Sequence, residues 1–201
     1  MLRGMDDGHR DEFSGALGWV LAPVFLAGRR RAARLVADLA VVRSGDAVVD
    51  VGCGAGQATL EASRRGAEVI GVDPSRAMLR TARWAARREP RARFADATAE
   101  SLPVEDASQT VVWAVSSAHH WPDVPAGLRE ALRVLRHGGR LVVLEMAASH
   151  AWSFKAHHGL TADSAQRLSQ QVSAAGFTDV EVTEHRTGRG RWLAVRGHVG
   201  A

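Results

Sequence analysis

From Ser44 onward, short apolar runs alternate with longer stretches whose apolar residues recur at helical spacing. Ala47–Val51 reads as a first strand, and 58–65 as a helix closed by Gly66. AEVIGVD (67–73) is a second strand of the buried type. Pro74-Ser75 opens a helix expected to run to about Arg88 and to stop at Glu89-Pro90, because the residue before a proline is pushed out of the helical region. ARFADA (92–97) is a third strand, TAESLPVEDAS a polar loop and QTVVWAVSS (109–117) a fourth strand. Residues 125–136 carry Leu128, Ala131, Leu132 and Leu135 at helical spacing; His137-Gly138-Gly139 ends that helix, and 139–147 is a fifth strand. Thr161 to Ala175 predicts another helix, and 180–187 with 191–199 a hairpin turned through Gly188-Arg189-Gly190. Strands apolar on both faces and separated by helices predict an α/β domain, a parallel sheet covered by helices.

Composition changes this picture little. The 201 residues suit one domain with a proper core, and 46% apolar with 24% charged residues is ordinary for a soluble chain. A net charge of +4 could point to a polyanion, yet Lys155 is the sole lysine, so the basic character is a uniform preference for arginine rather than a designed patch. The arginines at 80, 83, 87, 88, 91 and 93 lack the aromatic ladder of a single-strand binder, which argues against nucleic-acid substrates. A single cysteine, Cys53, excludes an internal disulfide and any cysteine-based zinc site, and points to a reducing compartment. The longest apolar stretch, Phe13 to Ala27, is too short to span a bilayer, is interrupted by Pro23, and has its flanking charges reversed relative to a signal peptide. The expected location is the cytoplasm. That stretch and the basic block Arg29-Arg30-Arg31 with Arg34 read as a helix packed over the site, with a membrane-surface contact as the alternative.

The chemistry concentrates in VVDVGCGAGQATL (48–60), where Gly52, Gly54 and Gly56 follow the first strand. Ligands of an open parallel sheet bind beyond the carboxyl ends of its strands, and glycines there let backbone approach them closely. A dinucleotide fingerprint wants a glycine where Gln57 stands, and Asp50 would repel a pyrophosphate while suiting an ammonium. Asp73 lies about 20 residues after the first glycine, the separation at which a carboxylate meets ribose hydroxyls. Asp96 follows the third strand and could accept from an adenine amine. Carboxylates at three successive strand ends suit S-adenosylmethionine, which offers an ammonium, a ribose and an exocyclic amine.

On VVDVGCGAG, GVDPSRAML, FADATAESLPVEDAS and LREALRVLRHGGRLVVLE, the chain resembles the class I S-adenosylmethionine-dependent methyltransferases, type 11 domain, and among them the bacterial quinone C-methyltransferases and small-acid O-methyltransferases. The resemblance covers 44–146. It implies a Rossmann-like, doubly wound, seven-stranded, mostly parallel sheet with an antiparallel last strand and helices on both faces. It further implies an N-terminal helical extension over 1–43 acting as a lid, ahead of a methyltransferase domain at 44–201. Asp50, Gly52, Cys53 and Gly54 would face the methionine moiety and Asp73 the ribose, with Pro74, Ser75 and Met78 flanking the adenosine. Asp96 and Ala97 would meet the adenine, and Val115 and Ser116 the far side of the pocket. Two positions depart from the family pattern: Thr110 replaces an acidic residue, and His137 a proline.

For catalysis, SSAHHWPD (116–123) follows the fourth strand and offers His120 and His119 as bases toward an acceptor hydroxyl, which favours O- over C-methylation. Neighbouring histidines point apart, so neither His119-His120 nor His157-His158 predicts a metal site. With no Asn-Pro-Pro-aromatic motif and no tyrosine, the amide and nucleobase-amine methyltransferases are disfavoured. The expected acceptor is a small apolar or aromatic molecule, walled by the N-terminus and by SHAWSFKAHHGL (149–160). A monomer or homodimer is expected. The alternatives are a cofactor-binding protein without transferase activity and, more remotely, a nicotinamide oxidoreductase.

Overall fold

A computed structural model of the chain describes residues 29–148, 159–188 and 190–200. The strands are β1 (Ala47–Val51), β2 (Glu68–Val72), β3 (Ala92–Ala95), β4 (Gln109–Val115), β5 (Leu135–Met146), β6 (Thr178–Thr187) and β7 (Gly190–His198). They form one sheet in the order β3-β2-β1-β4-β5-β7-β6, as the α/β pattern requires. The neighbours from β3 to β5 are parallel, and β7 runs antiparallel to both β5 and β6. The helices are α1 (29–39), α2 (Gln57–Arg64), α3 (Arg76–Ala85), α4 (Val124–Val134) and α5 (Ala162–Ala174).

Side chains alternate across a strand, so each apolar run feeds two layers. Val49, Val51, Val112 and Val143 pack with Leu128 and Ala131 of α4 and Leu168 and Val172 of α5. Val48, Val111, Val142 and Leu144 point the other way, against Ala32, Val36 and Ala37 of α1 and Ala58 and Ala62 of α2. Burying such a side chain fully stabilises the fold by about 1.5–3 kcal/mol, which is why strands without polar alternation are stable only between two helical layers. β1 has β2 on one side and β4 on the other, so the chain order reverses beside it and opens a crevice at the carboxyl ends of the strands.

Two boundaries differ from the sequence pattern. α3 ends at Ala85 rather than near Arg88: the Ala86 amide makes the last helical bond, to the Ala82 carbonyl, and the Arg87 amide and guanidinium both turn back onto the Trp84 carbonyl. α4 ends at Val134, and Leu135 passes directly into β5, so His137-Gly138-Gly139 lies inside an irregular strand instead of closing a helix. The Gly138 amide donates to Val199, the Val199 amide to Gly139, and His137 Nδ1 bonds the Gly200 carbonyl. Long-range pairing with the C-terminus overrides the local helical spacing. Residues 1–28 of the expected lid (1–43) and 149–158 of the expected acceptor wall (149–160) lie outside the described residues. Among the described residues, no helix is long and apolar enough to cross a membrane.

Candidate functional site

The strand register aligns the site. Val51 lies beside Val72 on one side and Ala114 on the other, and Val72 beside Ala95. The residues just past this row therefore share one rim: Gly52 after β1, Asp73 after β2, and Asp96 after β3. Val115 ends β4 opposite Leu144, so Ser116 and Glu145 continue the rim on the other side.

The glycine turn is closed on itself. Gly52, Gly54 and Gly56 have φ of 69°, 52° and 81°. A Cβ at Gly52 would collide with the side chain of Ser117, whose hydroxyl donates to the Val51 carbonyl at 2.6 Å. The amides of Gly52 and Cys53 both donate to the Val72 carbonyl, that of Gly54 to Asp73 Oδ2 at 2.9 Å, and that of Gly56 to the Cys53 carbonyl. These four donors are committed within the turn, so they do not form the bare amide cradle that a pyrophosphate requires. The sequence argument from Gln57 and Asp50 thereby acquires a structural reason.

Asp73 is the hub of this rim. It is buried, and its other oxygen accepts from the Ser75 amide at 2.8 Å. Ser75 in turn caps α3 by accepting from Met78 N, so Pro74, Ser75 and the exposed Met78 surround the carboxylate. Each carboxylate oxygen can accept more than one bond, which leaves Asp73 able to receive ribose hydroxyls. Asp96 is exposed and accepts from Arg76 Nε at 3.0 Å, which ties it and neighbouring Ala97 to the start of α3.

Asp50 differs from Asp73 in being sealed inside. Burial pushes its carboxyl up to about 6, and the Thr59 hydroxyl, donating at 2.5 Å, offsets this only in part. No cation pairs with it among the described residues. Cys53 turns its thiol inward: a Cβ on Gly71 would meet Sγ at 2.9 Å, which is why β2 carries glycine there. Burial, then the charges of Asp50 and Asp73, push that thiol's pKa up, so it stays protonated and does not act as a nucleophile.

Across the turn, the backbone takes an unusual conformation. Ser116 has φ 51°, and a non-glycine residue in that region is a mark of functional loops. It leads into a short 3₁₀ turn, Ala118–His120. Buried Glu145 at the end of β5 accepts from the Ala118 amide and pairs with His119 Nδ1, both at 2.9 Å. The bond to Glu145 raises the His119 pKa, against an opposing but smaller effect of burial. His120 is exposed and its ring lies 3.9 Å from that of His119. The sequence put His120 ahead of His119 as the candidate base, whereas in the structure it is His119 that pairs with Glu145. Trp121 packs on Gly127 and against the apolar core.

Glu145 is the residue that the sequence reading missed. Its signal was visible as a single carboxylate in the apolar run LVVLEM, at the carboxyl end of its strand like Asp50 and Asp73.

The residues present fit S-adenosylmethionine: a buried carboxylate with no cation paired to it among the described residues, a second with capacity for hydroxyls, and a turn whose amides at 52, 53, 54 and 56 are already bonded. Comparison with known proteins agrees. Residues 49–143 match the family described as a methyltransferase domain. The chain is 38% identical over 112 residues to the 27-O-demethylrifamycin SV methyltransferase of Amycolatopsis mediterranei, covering 54% of this chain and 41% of that protein. The chain spans less than half the length of the first curated relatives it matches. Two solved structures share the fold. The [4+2]-cyclase SpnF has a TM-score of 0.73 at 22% identity, covering 86% of this chain and 82% of that one. A SAM-dependent methyltransferase from Aquifex aeolicus has a TM-score of 0.70 at 16% identity, covering 83% and 89%. The glycine turn and the strand order agree with the matched segment, so residues 49–143 carry the methyltransferase domain, and over that stretch the chain is similar to the S-adenosylmethionine-dependent methyltransferases.

Proposed function

We propose that the chain methylates a hydroxyl oxygen of a small apolar or aromatic acceptor, with His119 as general base and Glu145 as its positioning residue. The observation that carries this reading is the pairing of buried Glu145 with His119 Nδ1 on the same rim as the glycine turn. S-adenosylmethionine supplies a methyl already activated on a sulfonium, so the protein has mainly to align acceptor and donor. A carboxylate can only accept, so Nδ1 carries the hydrogen in the pair and Nε2 is the nitrogen that takes the acceptor's proton as its oxygen receives the methyl. The raised His119 pKa makes it a stronger base and also keeps it protonated to higher pH. Asp73 and Asp50 hold the cofactor's ribose and ammonium in this reading, with Asp96 and Ala97 toward the adenine. The name of the rifamycin relative, which specifies an oxygen, supports the choice of atom.

A second reading is a cofactor-binding protein that transfers no methyl. It is favoured by one observation: the fold is also that of a cyclase. The two separate in one experiment, incubation with methyl-labelled S-adenosylmethionine and a panel of phenols and aliphatic alcohols. Label in an ether product, lost in His119→Ala while S-adenosylhomocysteine still binds, supports the first reading. Binding of S-adenosylhomocysteine with no label transfer to any acceptor supports the second, and preference for NADH over S-adenosylhomocysteine would overturn both.

A further inference from the structure

The methionine half of the cofactor carries a carboxylate as well as an ammonium, and the site described so far offers that carboxylate no cation. Asp50 and Asp73 would repel it, and the amides of Gly52, Cys53, Gly54 and Gly56 are already bonded within the turn. α1 brings a cation to this place. Arg29 stands one turn ahead of Ala32 and Ala33, whose buried side chains fix α1 against the sheet. Residues three and four apart share a helix face, so Arg29, itself exposed, stands on the same face of α1 one turn beyond its packed residues.

Its Nη1 lies 3.5 Å from the position that a Cβ would take on Gly54, the sole contact within 4 Å of that position from the described residues beyond the turn's own neighbours. Gly54 is the residue whose amide is tied to Asp73, at the centre of the turn. The neighbouring arginines do other things: the Arg31 guanidinium packs on Gly188 in the β6–β7 turn, and the Arg34 carbonyl accepts from Arg65. Arg29 makes no hydrogen bond or ion pair with another described residue.

We propose that Arg29 binds the carboxylate of the cofactor's methionine moiety, completing a site in which Asp50 takes the ammonium. This rests on the methyltransferase reading. A planar guanidinium matches a carboxylate with two parallel hydrogen bonds, and such charge-assisted pairs are about twice as strong as neutral ones. The arrangement discriminates for the zwitterionic amino-acid end and against a pyrophosphate, since Asp50 sits beside it. It also makes α1 part of the cofactor site, so that binding and the docking of the N-terminal segment are coupled through one side chain.

Calorimetric titration with S-adenosylhomocysteine and with 5′-methylthioadenosine, which lacks the amino-acid half, tests the assignment. Arg29→Gln should weaken S-adenosylhomocysteine binding at least about tenfold, or 1.4 kcal/mol, and leave methylthioadenosine binding within about twofold. Arg29→Lys should recover part of the loss, because it restores the charge without the fork. An unchanged S-adenosylhomocysteine affinity in Arg29→Gln overturns the proposal. So does an equal loss for both ligands, which would mean that Arg29 supports the turn rather than the carboxylate. Failure of the unaltered protein to bind either ligand would instead overturn the cofactor reading on which the proposal rests.

Discussion

Two carboxylates mark opposite ends of β1 and meet opposite fates. At the entry, burial pushes the Asp46 carboxyl up, but the Thr110 hydroxyl, the Arg43 amide and the Arg140 guanidinium outweigh it and hold its pKa below the usual value. At the exit, Asp50 is sealed with one hydroxyl partner and no cation, and its pKa rises to about 6. A carboxylate that the protein pairs for itself is a fastener. One buried without a cation costs stability, and it persists where a ligand brings the missing charge. The entry of the sheet is complete within the protein, whereas in the proposed reading the exit is completed by the cofactor.

The comparison breaks first at Asp73, the hub of the exit. Asp73→Ala removes the acceptor for both the Gly54 and Ser75 amides and the proposed ribose contact. Affinity for S-adenosylhomocysteine should fall at least about 100-fold, near 3 kcal/mol, in a calorimetric titration. An unchanged dissociation constant would remove Asp73 from the site.

The mirror experiment is Asp46→Ala at the entry. It leaves Arg140 and the Arg43 amide without their partner, and breaking such a part-buried network should cost about 3 kcal/mol and lower Tm by roughly 6–10 °C. Cofactor affinity should stay within about twofold. If Asp46→Ala weakens the cofactor as much as Asp73→Ala does, the two ends are not separate in function.

Asp50→Asn sharpens the contrast through pH. The folded state holds the Asp50 proton up to about pH 6, while the unfolded chain releases it near 3.8. Stability therefore falls as pH rises between those values, and the penalty is complete above pH 6. Asp50→Asn should raise apo stability by on the order of 1–3 kcal/mol at pH 7–8, show no gain below pH 4, and weaken cofactor binding. Thermal melts across pH check the first two outcomes, and equal melting shifts at pH 4 and pH 8 would refute them.

The smallest expected effect concerns Glu145. With neutral His119 as base, the rate should rise as pH climbs through its raised pKa. Glu145→Gln removes the carboxylate that raises it, so the rising limb should move toward the unperturbed value near 6.5 while kcat above it drops about 10-fold or more. A limb that does not move would leave Glu145 a purely structural residue, and His120 would then become the better candidate base.

Much of this was legible in advance. The central strands β1, β2, β4 and β5 are largely apolar because both faces are covered, so their existence and parallel direction could be read from the pattern of apolar runs. Asp50, the three glycines and Asp73 were legible for a related reason: their chemistry is packed into short segments whose spacing matters. Less legible were contacts between distant parts of the chain. Thr110, which replaces the family's acidic residue, binds Asp46 and the Ala47 amide across 63–64 residues, and the hydroxyl bridges the starts of β1 and β4. His137 similarly works through Gly200, and its strand conformation depends on a C-terminus that local spacing does not register. Glu145 and His119 lie 26 residues apart, and only the parallel pairing of β4 with β5 makes them partners.

By itself, then, the sequence determined the layered fold, the turn and the class of cofactor, because apolar periodicity and glycine spacing are local properties that burial and backbone sterics act on directly. The tertiary structure decided which turn amides are already spent, which of two adjacent histidines meets a buried carboxylate, and which arginine of a basic run lies beside the glycine turn. Those choices depend on strand register and helix docking, where a shift of one residue reverses the direction of a side chain.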